Sequence, residues 1–106
     1  VSSAAARIGT PNHEAVAATK AGLEGMVRGA AATYAANAIR INAVAPGIIA
    51  SDMSAGAFDA DAIKRMVPMQ RAGQPGEVAD LVAFLASDQA GYISGQTIGI
   101  NGALYQ

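Results

Sequence analysis

The chain has 106 residues, 52% of them apolar and 14% charged, which is the size and composition of one small folded domain and excludes a disordered tail. Seven Lys and Arg against eight Asp and Glu leave a formal net charge of −1 at pH 7, so no excess positive charge is available to neutralise a nucleic-acid backbone. Without cysteine there is no disulfide scaffold, thiolate zinc site, iron–sulfur cluster or cysteine nucleophile, and charges such as Lys20, Glu24, Arg28 and Arg40 interrupt every apolar run before the roughly 18 residues of a membrane span.

In chain order, Val1 to Pro11 reads as a strand end feeding a loop, without the basic start and apolar core of a signal peptide, and the cytoplasm is the expected compartment. A long alanine-rich helix is predicted from about His13 to Ala36, capped either by Thr10 ahead of Pro11 or by Asn12, and closed at Asn37. Ile39 to Ala45 is apolar at most positions and bounded by Asn37 and Pro46-Gly47, the pattern of a buried strand. A loop over Ile48 to Ala57 and a short helix over Asp59 to Met66 follow. Gln74-Pro75-Gly76-Glu77 opens another helix, whose Val78, Leu81, Val82 and Leu85 form one apolar stripe. A last strand is predicted over Gln96 to Asn101, ended by Gly102. This alternation is α/β, with parallel strands joined by crossover helices. Two strands make a poor sheet and leave an edge of Ile39 to Ala45 unpaired, so the chain reads as a fragment.

Several residues have chemistry to offer. Lys20 stands in a helix segment that is otherwise apolar or small, and spacings of three and four place His13 and Val16 on its face. A surface lysine whose stem passes over alanines is the plain alternative. His13 is the single histidine, so a metal site is not expected. Ser2 or Ser3 with His13 and Asp52 would supply the parts of a hydrolytic triad, but no serine sits in a Gly-x-Ser-x-Gly elbow. Ala18, Gly22, Gly25 and Gly29 line the long helix at spacings of three and four, allowing close approach of another element or another subunit. Pro46 to Met53 follows the buried strand at its carboxyl end, where ligands bind in parallel α/β sheets, although an ordinary connection has the same composition.

Ser2-Ser3, Ala17-Ala18-Thr19-Lys20-Ala21-Gly22-Leu23-Glu24-Gly25 and Ile39-Arg40-Ile41-Asn42-Ala43-Val44-Ala45-Pro46-Gly47-Ile48-Ile49 resemble, in order, successive blocks of the short-chain dehydrogenase/reductase family. Arg71 to Ala79, Phe84 to Asp88 and Ile93 to Ala103 are similar to its later blocks, and the ending resembles the branch that contains the 3-oxoacyl-acyl carrier protein reductases. The resemblance implies the C-terminal half of a Rossmann-like, doubly wound parallel sheet, with residues 1–106 forming one portion of a single domain of roughly 250 residues. It also implies that the amino-terminal dinucleotide-binding half is absent and that the isolated chain is inactive. NAD or NADP is the implied cofactor, a small carbonyl or alcohol the implied substrate, and a homo-oligomer, dimer or tetramer, the implied assembly.

Carried over by position, Ser3 matches the family's catalytic serine, and Lys20 matches its lysine, which would bind the nicotinamide ribose and lower the pKa of a neighbouring tyrosine. Pro46, Gly47, Ile49 and Ser51 match the segment lying along the nicotinamide, with Ser51 where threonine is usual. Val16, however, occupies the tyrosine position of Tyr-x-x-x-Lys, and an isopropyl group has no proton to give. Three explanations follow: His13 serves as a substitute acid; the protein is a non-catalytic relative that binds cofactor or assembles subunits; or activity uses groups outside these residues.

Overall fold

A computed structural model describes residues 1–106. Good helix formers carry helix α1 over Glu14–Tyr34, and Glu14 places a carboxylate in the first turn, where the helix dipole favours it. Neither expected cap forms. Thr10 instead closes a turn by accepting the His13 N–H at 3.2 Å, and Asn12 takes the left-handed conformation at φ 62°, so the helix begins after His13 with no side-chain cap. At the other end a 3-10 turn over Ala35–Asn37 continues the helix, and Ala38 rather than Asn37 is left-handed, at φ 59°. The buried face of α1 is Glu24, Val27 and Ala31, at spacings of three and four.

Strand β1 covers Ala43–Pro46 and strand β2 covers Thr97–Ile100; they pair in parallel, Ala43 opposite Thr97 and Pro46 opposite Ile100. The expected β1 began at Ile39, four residues too early, because the Ile41 carbonyl accepts the Gly95 N–H at 2.7 Å but the other bonds of residues 40–42 across to the second strand's side run through side chains instead of a strand ladder. The Arg40 guanidinium donates to the carbonyls of Leu85 (2.8 Å), Ser87 (3.2 Å) and Ile93 (3.4 Å). Asn42 donates through Nδ2 to the Ile93 carbonyl and accepts through Oδ1 from the Gln96 N–H, while the Ile41 N–H donates to Ser94 Oγ. On the edge of β1 away from β2, the Val44 carbonyl accepts the Ser2 N–H at 2.7 Å, so the start of the chain lies beside β1, without forming a strand.

Helix α2, Ala60–Met66, is capped by Asp59, whose Oδ1 accepts from the Ala62 N–H at 2.7 Å. Helix α3, Pro75–Ala86, starts at a capping box in which Glu77 accepts the Gln74 N–H at 2.8 Å. Val78, Leu81 and Leu85 of α3 pack with Val44, Ala90, Ile93 and Ile98 as the core between helix and sheet. Val82, assigned to the same stripe, lies at its margin and is 45% exposed, because it sits about 100° around the helix from Leu81 and about 60° from Leu85, on the far side of Val78. The small-residue face of α1 has no partner within the chain: a Cβ at Gly22 or Gly29 would meet nothing within 4 Å, and one at Gly25 only the end of Arg28 at 3.8 Å.

Candidate functional site

A cleft of about 600 Å³ opens at the carboxyl end of β1. Pro46, Gly47 and Ile49 form one wall, Lys20 of α1 and the loop residue Ser51 contribute polar groups, and Lys20 is its one charged side chain. Each is placed by local chemistry. Pro46 has no N–H to add to a ladder and ends β1. Gly47 is where β1 and the end of β2 come closest: its N–H donates to the Ile100 carbonyl at 3.0 Å, and a Cβ there would lie 2.8 Å from Asn101 Cβ. Ser51 begins a 3-10 turn over Asp52–Ser54, its N–H donating to Ser54 Oγ at 3.0 Å, while the Ser54 hydroxyl donates to the Ile49 carbonyl. This serine pair folds the loop back over the cleft.

Five of the residues singled out in the sequence, Lys20, Pro46, Gly47, Ile49 and Ser51, thus line one cavity. Lys20 Nζ donates to the Val1 carbonyl at 2.9 Å. Ser3 lies outside the lining, at the cap of a 3-10 turn over Ala4–Ala6, where its Oγ accepts the Ala5 N–H at 3.1 Å. Val16 is exposed on the first turn of α1, also outside the lining. His13 precedes the helix, and its Nδ1 lies 2.8 Å from the Pro11 carbonyl oxygen. Since that oxygen only accepts, Nδ1 carries a proton, and a neutral His13 ring offers Nε2 as an acceptor. It therefore donates from Nε2 only as an imidazolium. The parts of a hydrolytic triad do not assemble: Ser2 bonds Glu24, His13 turns to Pro11, and Asp52 is exposed in the loop.

One polar cluster escaped the sequence reading. Glu24, 5% exposed, accepts from Ser2 Oγ at 2.7 Å and from Arg7 Nε at 3.1 Å. The legible signal was its spacing of three and seven from Val27 and Ala31, which puts it on the buried stripe of α1. Outside this cleft, at the start of α3, Arg71 donates to both carboxylate oxygens of Glu77 at 2.8 and 2.9 Å. Those bonds, with the one from the Gln74 N–H, hold the exposed Glu77 carboxyl at about 2, below its ordinary 4.5, and raise Arg71.

Parallel strands joined by crossover helices, with a cleft where β1 gives way to its loop, define an α/β protein whose cleft lies at the carboxyl end of the sheet, where proteins of this class bind ligands. Residues 1–104 match the family described as enoyl-(acyl carrier protein) reductase. A 3-oxoacyl-[acyl-carrier-protein] reductase of Staphylococcus aureus is 44% identical over 107 residues, covering 99% of this chain and 44% of the relative. The corresponding protein of Rickettsia felis is 46% identical over 98 residues, covering 91% of this chain and 41% of the relative. Among solved structures, a 3-oxoacyl-[acyl-carrier protein] reductase from Brucella melitensis superposes with a TM-score of 0.90 at 38% identity, covering 99% of this chain and 40% of that one. The chain belongs to the short-chain dehydrogenase/reductase family, on the branch of the 3-oxoacyl-acyl carrier protein reductases. It spans less than half the length of these relatives.

Proposed function

We propose that this chain supplies the lysine-bearing side of the active site of an NAD(P)-dependent oxidoreductase, which exchanges hydride with a carbonyl or alcohol. The observation that carries the reading is the single cleft lined by Lys20, Pro46, Gly47, Ile49 and Ser51. Its volume, about 600 Å³, suits a nucleotide-sized ligand. The donor set fits as well: an apolar wall for a flat ring, one ammonium for ribose hydroxyls, and the two loop serines, Ser51 and Ser54. When bound, the nicotinamide supplies or takes the hydride.

The chain's own residues hold and orient. Lys20 Nζ uses one N–H on the Val1 carbonyl and keeps two donors for sugar hydroxyls. Pro46 and Ile49 cover the ring and keep water off it. Ser3 Oγ accepts from the Ala5 N–H, which leaves its own proton to donate to a substrate oxygen. The proton that the family's tyrosine transfers does not come from Val16; the imidazolium of His13, or a group beyond these residues, provides it. The names of the relatives point to a 3-oxoacyl thioester as substrate. A homo-oligomer in the cytoplasm, with the open glycine face of α1 against a second copy, completes the reading.

The test is nicotinamide-dependent reduction of acetoacetyl-coenzyme A by the protein expressed from its complete reading frame, beside His13→Ala and Val16→Tyr. If His13 is the acid, His13→Ala lowers turnover by about a hundredfold or more. If the acid is missing, Val16→Tyr raises turnover by a similar factor. Cofactor binding with no turnover in any variant makes the chain a non-catalytic relative, and absence of both binding and turnover overturns the reading.

A further inference from the structure

We infer that Glu24 is a positioning residue, whose buried carboxylate clamps residues 2–7 and thereby holds Ser3 in register with Lys20. The inference rests on the roles proposed above for Ser3 and Lys20. Glu24 follows Lys20 by one helical turn but does not line the cleft. Its two oxygens face opposite ends of one short segment. Oε1 accepts from Ser2 Oγ at 2.7 Å, and Oε2 accepts from Arg7 Nε at 3.1 Å with Arg7 Nη2 at 3.0 Å. Ser3 and its 3-10 turn lie between those two anchors. Ser2 is 3% exposed, and its N–H is spent on the Val44 carbonyl of β1 at 2.7 Å. Its hydroxyl is also 3.4 Å from the Lys20 carbonyl, while Lys20 Nζ reaches the Val1 carbonyl. Segment 1–7 is therefore tied to β1 by backbone and to α1 by Lys20 and Glu24.

An apolar side chain of similar volume would fill this position of α1 without the desolvation cost of a buried carboxylate. What it would not do is accept hydrogen bonds from both sides of Ser3. Helix packing alone fixes the distance between α1 and the segment; the carboxylate also fixes its rotation, and with it the direction of the Ser3 hydroxyl. The amide of Glu24→Gln can keep Arg7 on its oxygen only by donating its N–H to Ser2 Oγ, whose own proton is then left to the Lys20 carbonyl, so both bonds lose the carboxylate's charge and the clamp is loosened at each end.

The test uses the protein expressed from its complete reading frame, with acetoacetyl-coenzyme A as probe. Glu24→Gln and Ser2→Ala should each lower kcat about tenfold or more, with the KM for the nicotinamide cofactor changed less than about twofold, because the loss is one of orientation. Amide hydrogen exchange provides a readout independent of turnover: in Glu24→Gln, protection at residues 2–7 should fall about tenfold while that of Ala45 in β1 stays unchanged. An unchanged kcat in both variants, or protection lost equally in β1 and residues 2–7, overturns the inference. If the unaltered protein does not turn over, the proposed activity fails, and the exchange pattern alone decides the clamp.

Discussion

Replacing Gly47 by alanine tests whether the cleft is built on a close approach of the two strand ends. A Cβ at residue 47 would stand 2.8 Å from Asn101 Cβ and 2.9 Å from Asn101 Cα. An unstrained carbon–carbon contact is about 3.5–4.0 Å, so the strands must part by about 0.7 Å or more. They resist. One obstructing atom is backbone, and the Gly47 N–H is bonded to the Ile100 carbonyl at 3.0 Å on the same strand. Overpacking of this kind costs about 1–3 kcal/mol. At about 2–4 °C for each kcal/mol in a domain of 150–250 residues, the middle of that range lowers Tm by about 4–8 °C. Because Gly47 also lines the cleft, cofactor affinity should fall with it. Differential scanning fluorimetry with and without NADPH reads both effects. A Tm within 1 °C of the unaltered protein's, with affinity unchanged, would refute the idea that this contact is rigid.

Other positions give outcomes of different sign. Arg40→Ala, which frees three carbonyls at once, should cost about 2–3 kcal/mol in urea unfolding, and Arg40→Lys should recover less than half of it, since an ammonium lacks the fork that spans them. Ala38→Gly should stabilise by up to about 1 kcal/mol: it relieves a left-handed alanine at φ 59°, against the added freedom of an unfolded glycine. Gly22→Ala should lower Tm, because a Cβ there meets nothing within the chain but stands on the face of α1 proposed to pack on a second copy; a rise, the about 0.5–1 kcal/mol gained when alanine replaces glycine inside a helix, would contradict that packing. Glu77 titrates at about 2 when folded, below its ordinary 4.5, so its contribution to stability is complete above pH 4.5 and is lost as the pH falls toward 2. Glu77→Gln should therefore be less stable at neutral pH and show a shallower loss of stability on acidification, and parallel acid limbs would contradict the assignment.

Elements whose signals are local were legible. Alanine content gave α1, the run from Asp59 to Met66 gave α2, with Asp59 proving to be its cap, and Gln74-Pro75 with Glu77 gave the start of α3. Boundaries set by distant partners were not. Ile39 to Asn42 looks like strand because its alternation is apolar, yet Arg40 and Asn42 spend their side chains on carbonyls more than fifty residues away at Ile93. The left-handed residue fell on Ala38 rather than on Asn37 beside it, because the 3-10 turn runs through Asn37 before the chain reverses.

For the site, the family resemblance and the fold converge on the same cleft for five residues, while Ser3, Val16 and His13 stand outside its lining. Periodicity put His13 on the face of Lys20, but a turn at left-handed Asn12 places it ahead of the helix, facing Pro11. Glu24 was hidden for a simpler reason. A glutamate in a helix reads as a solvated residue until its place on the stripe of Val27 and Ala31 is noticed, and its partners, Ser2 and Arg7, are 22 and 17 residues away.

Equilibrium binding of NADH and NADPH to the protein expressed from its complete reading frame, unaltered and as Lys20→Met, tests the central claim most directly. The cleft predicts saturable binding of one of the two and a loss of affinity of about tenfold in the variant, since Lys20 is the one charged side chain lining it. Binding with equal affinity in both proteins, or no binding of either nucleotide, would contradict it.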